Sequence, residues 1–102
     1  MNRFDIFDAQ VDWGGCTDRR PWLIVESPAH GRAGCFPISG QDYRGTAFPL
    51  PDGDADFAAT GLKKSSFVHD DRIVPIAVDL LKKRRGRLEG DLLARFRAYC
   101  GI

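Results

Sequence analysis

Apolar and polar positions alternate from Phe4 to Val11 (Phe-Asp-Ile-Phe-Asp-Ala-Gln-Val), which predicts a first, half-buried strand. Trp22-Leu23-Ile24-Val25 does not alternate. Its bulky and β-branched side chains and its length predict a strand buried on both sides. Ser27 to Gly31 carries the Pro28 and Gly31 of a turn, and Ala33 to Ile38 predicts a weaker second strand ending on Ser39-Gly40. Gln41 to Gly45 is a further turn. Thr46 to Pro51 is a short strand whose prolines suit only a sheet edge. Gly61-Leu62-Lys63-Lys64 leads into a strand from Ser66 to Val74. The period then lengthens: a helix is expected from Pro75 to Arg85, stopped by Gly86. Leu88, Leu92, Phe96 and Tyr99 share one face of a final helix, with Asp91 near its start and Arg95 and Arg97 in its last turns.

Five or six short strands closed by a C-terminal helix point to a mainly β chain, a small barrel forming one domain over residues 1–102. Asp12 to Arg19 is a glycine-containing loop. Asp52 to Asp56 lacks the Gly and closing Glu of a calcium loop and reads as an acidic hairpin turn. With 43% hydrophobic and 28% charged residues, the composition is that of an ordinary globular protein. No apolar run approaches the roughly 18 residues of a membrane span, and Met1 to Asp5 does not begin a signal peptide, so no membrane partner is expected. Cys16, Cys35 and Cys100 are odd in number and without Cys-x-x-Cys spacing, which argues against a disulfide framework or a zinc site. Reduced thiols in a cytoplasm fit better.

Charge changes the picture in one respect. Residues 1–61 hold five arginines against nine carboxylates, whereas residues 62–102 hold ten basic residues against five acidic ones. The split suggests a polyanion-facing side or a solvated basic surface.

Pairing of the two central runs gathers Arg19 and Arg20 before the first and Ser39 after the second. A guanidinium and a hydroxyl on rigid strand ends can grip a phosphodiester. Each is equally an ordinary surface residue. On the expected 66–74 strand, His69 and Asp71 share a face, and a carboxylate beside a histidine raises its pKa and sets its tautomer. Trp13 offers a base-stacking platform or a plug over one end of the barrel. Cys35 reads as a buried thiol in a strand, although Cys16, His30 and Cys35 also supply the residue types of a Cys–His nucleophile.

Arg20-Pro21-Trp22-Leu23-Ile24-Val25 resembles the RP-aliphatic strand of the MazF/PemK family of bacterial toxins. Pro37-Ile38-Ser39 is similar to that family's P-I/V-T/S strand end. Ser65 to Ile73 looks like its next core strand, and Gly86-Arg87-Leu88 like the lead-in to its last helix. The resemblance implies a Src-homology-3-like barrel (the MazF/CcdB-like toxin fold) and a homodimer. It implies the toxin of a type II toxin–antitoxin system that cleaves single-stranded RNA sequence-selectively, with no metal or cofactor. Products would be a 2′,3′-cyclic phosphate or 3′-phosphate and a 5′-hydroxyl. Arg20 and Ser39 take the family's catalytic positions, and His69 and Asp71 stand where an Arg and an Asp occur in its plasmid-borne branch. Trp13, Thr17, Asp18 and Arg19 would form an RNA-binding flap. A cognate antitoxin would block the groove, and the complex would bind DNA. Phe4 stands at the family's Gly position, and Val74 replaces a basic residue. Those two departures favour a second expectation, a non-catalytic barrel of the same fold that binds a nucleic acid or, like a gyrase poison, a protein.

Overall fold

A computed structural model describes residues 1–12, 15 and 17–102 of the chain. Among these, the strands are β1 (Asp5–Gln10), β2 (Arg19–Ala29), β3 (Arg32–Ser39), β4 (Phe48–Leu50), β5 (Ser66–Val68), β6 (Val74–Ala77) and β7 (Lys83–Arg87). A single helix, α1 (Gly90–Cys100), ends the chain, and 3-10 turns lie at Ala58–Thr60 and Val78–Leu80. The strands make an antiparallel sheet in the order β4-β5-β3-β2-β1-β7, with β6 also on β3. The sheet curls into a half-barrel with α1 against it.

The run Trp22 to Val25 is apolar without alternation because both faces of the sheet are covered here. Leu23 and Val25 pack with Phe36, Leu92 and Phe96 on the helix side. Trp22 and Ile24 pack with Cys35, Ile76 and Leu81 on the other. Each fully buried Leu or Ile contributes about 1.5–3 kcal/mol relative to exposure, so β2 anchors both clusters. β3 is as deeply buried as β2, stronger than its sequence suggests. β4 lies at the sheet edge with Pro49 exposed, as its prolines require.

The reversal between β2 and β3 is tighter than the expected Ser27–Gly31 turn. Only His30 (φ 55°) and Gly31 (φ 77°) turn the chain, the two positive φ angles of a type I′ hairpin loop. Pro28 stays in β2 because the β2–β3 register shifts between Glu26 and Ala29, sparing it a ladder hydrogen bond.

Two expectations are corrected. Residues 66–74 are not one strand. β5 and β6 both pair with β3, but from Cys35 to Ile38 that strand advances three residues while its neighbour runs six, from Val68 to Val74. Three extra residues are extruded between them, so His69 and Asp71 sit on a bulge and do not alternate on a strand face. Residues 75–85 are also not a helix. Val74–Ala77 pairs with Arg32–Cys35, and the basic run 83–87 pairs with β1. There Asp5 and Asp8 meet Arg84 and Arg85, each at 3.4 Å, so cross-strand charge pairing overrides helix propensity.

Gly86 is therefore no helix stop. A methyl group on it would lie 2.2 Å from the Ala59 carbonyl oxygen, and one on Gly61 would lie 2.1 Å from that of Arg85. The 3-10 turn at 58–60 thus packs backbone to backbone on β7, which fixes the loop carrying Lys63 and Lys64. The acidic segment 52–56 serves α1: Asp56 accepts a hydrogen bond from the Leu92 N–H at 3.2 Å, and Asp54 pairs with Arg95. Leu88 is buried just before α1, Leu92 and Phe96 are buried within it, and Tyr99 is exposed, its hydroxyl donating to the Thr46 carbonyl.

Candidate functional site

Trp22 stands opposite Pro37 at the end of the β2–β3 ladder; two residues beyond, Arg20 pairs with Ala9 of β1 and Ser39 with Phe67 of β5. Both side chains fall on the Trp22 face of the sheet, at its end. Arg20 and Ser39 are half-buried.

His69 joins them through the bulge. Its N–H still bonds the Pro37 carbonyl at 2.9 Å, in continuation of the β5 register, so its backbone is pinned beside the end of β3. Its Nε2 lies 2.6 Å from Ser39 Oγ. Ser39 Oγ also lies 2.8 Å from the Gln41 carbonyl, to which it donates. One hydroxyl proton serves one acceptor at a time: when it goes to Gln41, Nε2 carries its own proton, and when Nε2 is bare, Ser39 donates to it.

Burial decides the protonation of His69. The residue is only 4% exposed, and Tyr43 lies over its ring, with centroids 5.8 Å apart and planes at 28°. Burial pushes the imidazole below its ordinary pKa. Asp71, Asp42 and the Gln41 carbonyl pull the other way, and Arg20 pushes it further down. Asp71 raises the histidine as expected, but desolvation outweighs the carboxylate and the net direction is downward. Asp71 itself is exposed and held by Arg44 at 2.7 Å. The sum is an imidazole that is neutral near pH 7 and able to accept a proton.

The other expected residues divide. Thr17 and Asp18 are exposed ahead of β2, and Arg19, at its start, lines a separate groove of about 250 Å³ with Asp8, Gln10 and Lys82. Trp13 and Cys16 lie outside the described residues. Cys35 is a buried thiol in β3 whose pKa burial pushes up to about 12, so it is no nucleophile at neutral pH. Among the described residues no three metal-ligating side chains gather, and no helix is long and apolar enough to cross a membrane.

Three features were not read from the sequence. Tyr43 covers His69, Arg44 holds Asp71, and Ser39 borders an open cleft of about 300 Å³ lined also by Gly40, Lys63, Lys64, Ser66 and Arg85. The charge excess of the second half pointed toward the lysines; nothing local marked Tyr43 or Arg44.

No protein-family model matches the chain, and no curated protein matches it.

Proposed function

We propose that this protein is an endoribonuclease for single-stranded RNA, acting without a metal as the toxin of a MazF/PemK-like type II toxin–antitoxin pair. The observation that carries the reading is the 2.6 Å approach of Ser39 Oγ to Nε2 of a buried His69, with the Arg20 guanidinium near enough to act on that imidazole. Strand pairing in the sequence already nominates Arg20 and Ser39, and the His69–Asp71 spacing an acid–base group; the Ser39–His69 contact supports joining them in one site.

The chemistry follows from the groups present. A substrate 2′-hydroxyl at Ser39 passes its proton to Oγ as Oγ gives its own to His69 Nε2. The 2′-oxygen attacks phosphorus, the P–O5′ bond breaks, and water protonates the departing oxygen. A 2′,3′-cyclic phosphate and a 5′-hydroxyl result, and His69 returns its proton to solvent. Arg20 supplies a fixed, forked cation to the charge that develops on the phosphoryl oxygens. Asp71 acts from a distance, partly offsetting the desolvation of His69. By analogy with the family, a homodimer would assemble the groove and an antitoxin would occlude it.

A second reading draws on the burial of His69 behind Tyr43: the Ser39–His69 pair fastens the strand end, and the barrel binds a partner without catalysis. One assay separates the two. Purified protein incubated with single-stranded RNA in excess EDTA should yield fragments bearing 5′-hydroxyl and cyclic-phosphate ends. Intact RNA, or cutting that appears only when Mg²⁺ is restored, contradicts the enzyme reading.

A further inference from the structure

We infer that the cleft between the end of β3 and the 62–66 loop is a subsite for the phosphodiester backbone of the RNA strand, next to the bond that is cut. The inference rests on the ribonuclease reading for its ligand, and on the cleft itself for its chemistry. Lys63, Lys64 and Arg85 line it together with the hydroxyl-bearing Ser39 and Ser66, and no carboxylate does. Arg85 is already offset by Asp8 at 3.4 Å. Neither lysine pairs with a carboxylate among the described residues, so two positive charges face the cleft without compensation.

The loop that carries them is built to hold them there. Gly61 and Gly86 let it pack on β7 at backbone distance, Leu62 is buried beneath it, and Ser66 Oγ donates to the Lys64 carbonyl at 2.9 Å. Lys64 then crosses Gly40, so close that a methyl group there would lie 3.2 Å from Nζ. Because Gly40 follows Ser39, the Lys64 ammonium sits one residue from the hydroxyl assigned to the reacting 2′-oxygen. A cleft of about 300 Å³ accommodates a nucleotide-sized group.

Ammonium groups are point charges without a donor pattern for base edges. The subsite should hold the strand in position and add affinity without sequence preference. A phosphodiester chain fits better than an acidic peptide, because the cleft runs on from Ser39, where the scissile phosphate lies, and a strand brings a phosphate at every step.

The test is fluorescence anisotropy with a labelled single-stranded 2′-O-methyl RNA, which cannot be cut, titrated at several salt concentrations. Removing two phosphate contacts from a single strand should flatten the slope of log K against log salt by about 1.4. The Lys63→Gln/Lys64→Gln variant should show that loss, while Lys63→Arg/Lys64→Arg keeps the wild-type slope. On cleavable RNA the Gln variant should raise KM and leave kcat near wild type. An unchanged slope in the folded Gln variant overturns the subsite. So does wild-type protein that leaves the strand unbound, or a variant that loses poly-glutamate binding while its RNA binding is unaltered. If wild-type protein binds the uncuttable strand with the lysine-dependent slope yet leaves cleavable RNA intact, the subsite stands and the catalytic reading falls.

Discussion

Ser39 Oγ and His69 Nε2 meet at 2.6 Å although thirty residues separate them in the chain. Ser39 ends β3, and His69 opens the bulge in the neighbouring strand, so sheet register makes the contact. Ser39→Ala should remove it, at a cost of about 0.5–1.5 kcal/mol in urea unfolding. RNA cleavage should fall by roughly a hundredfold or more as the relay is cut. Ser39→Thr, which keeps the hydroxyl, should recover most of both. Equal losses in the Ala and Thr variants would show that the hydroxyl is not the operative group.

The burial of His69 has a pH signature. Its pKa is lowered in the fold, so the unfolded chain binds the proton more readily, and stability rises with pH through that interval. The His69 contribution should be complete above about 6.5, the ordinary histidine value, and decline as pH falls toward the lower folded value. Urea unfolding at pH 7.5 and 5.5 should show that decline in wild type and less of it in His69→Gln. A wild type whose stability rises on acidification, with the rise absent in His69→Gln, contradicts the assignment.

Tyr43 and Asp71 act on the same imidazole in opposite directions. Tyr43→Ala should admit water and move the His69 titration up; Asp71→Asn should remove an attraction for the imidazolium and move it down. Proton NMR of the His69 ring, with His30 replaced by Gln to leave one signal, reads both shifts. Superimposed titration curves for all three proteins would show that neither neighbour influences the ring.

Much of this arrangement was legible in the chain, and the failures have physical causes. The strands around Trp22–Val25 and Ala33–Ile38 announce themselves by apolar content, and so does the Leu92–Phe96 face of α1. Arg20 and Ser39 come to the same end of the sheet because those two runs, joined by a short reversal, pair antiparallel up to Trp22 and Pro37. The bulge at 69–73 was hidden, since its sequence continues the strand's composition and only the two registers on β3 reveal three extra residues. The segment 75–85 misled because its carboxylate partners, Asp5 and Asp8, lie at the opposite end of the chain. Tyr43 over His69 is likewise a long-range contact with no local mark.

Gly86 tests the packing that places the lysine loop. Its missing side chain leaves room for the Ala59 and Thr60 backbone, and a methyl group added there would lie only 2.2 Å from the nearest oxygen. Backbone atoms cannot yield as a flexible side chain does, so Gly86→Ala should cost about 1–3 kcal/mol or more, lowering Tm by about 10 °C. Gly53→Ala, where a methyl group meets nothing, is the matched control and should leave Tm nearly unchanged. Equal Tm values for the two variants would contradict the backbone contact.

Arg20 is the most direct probe of the account, because its role is to meet the additional charge that develops on the phosphoryl oxygens during the reaction. The measurement is single-turnover cleavage of single-stranded RNA in EDTA by wild type, Arg20→Lys and Arg20→Ala, alongside their binding of the uncuttable 2′-O-methyl strand. Arg20→Ala should cut at least about a hundredfold more slowly while binding the strand within a few-fold of wild type, and Arg20→Lys should recover little, since a point charge does not reproduce the fork. A folded Arg20→Ala protein that cuts RNA at the wild-type rate would contradict the site assigned to Arg20, Ser39 and His69.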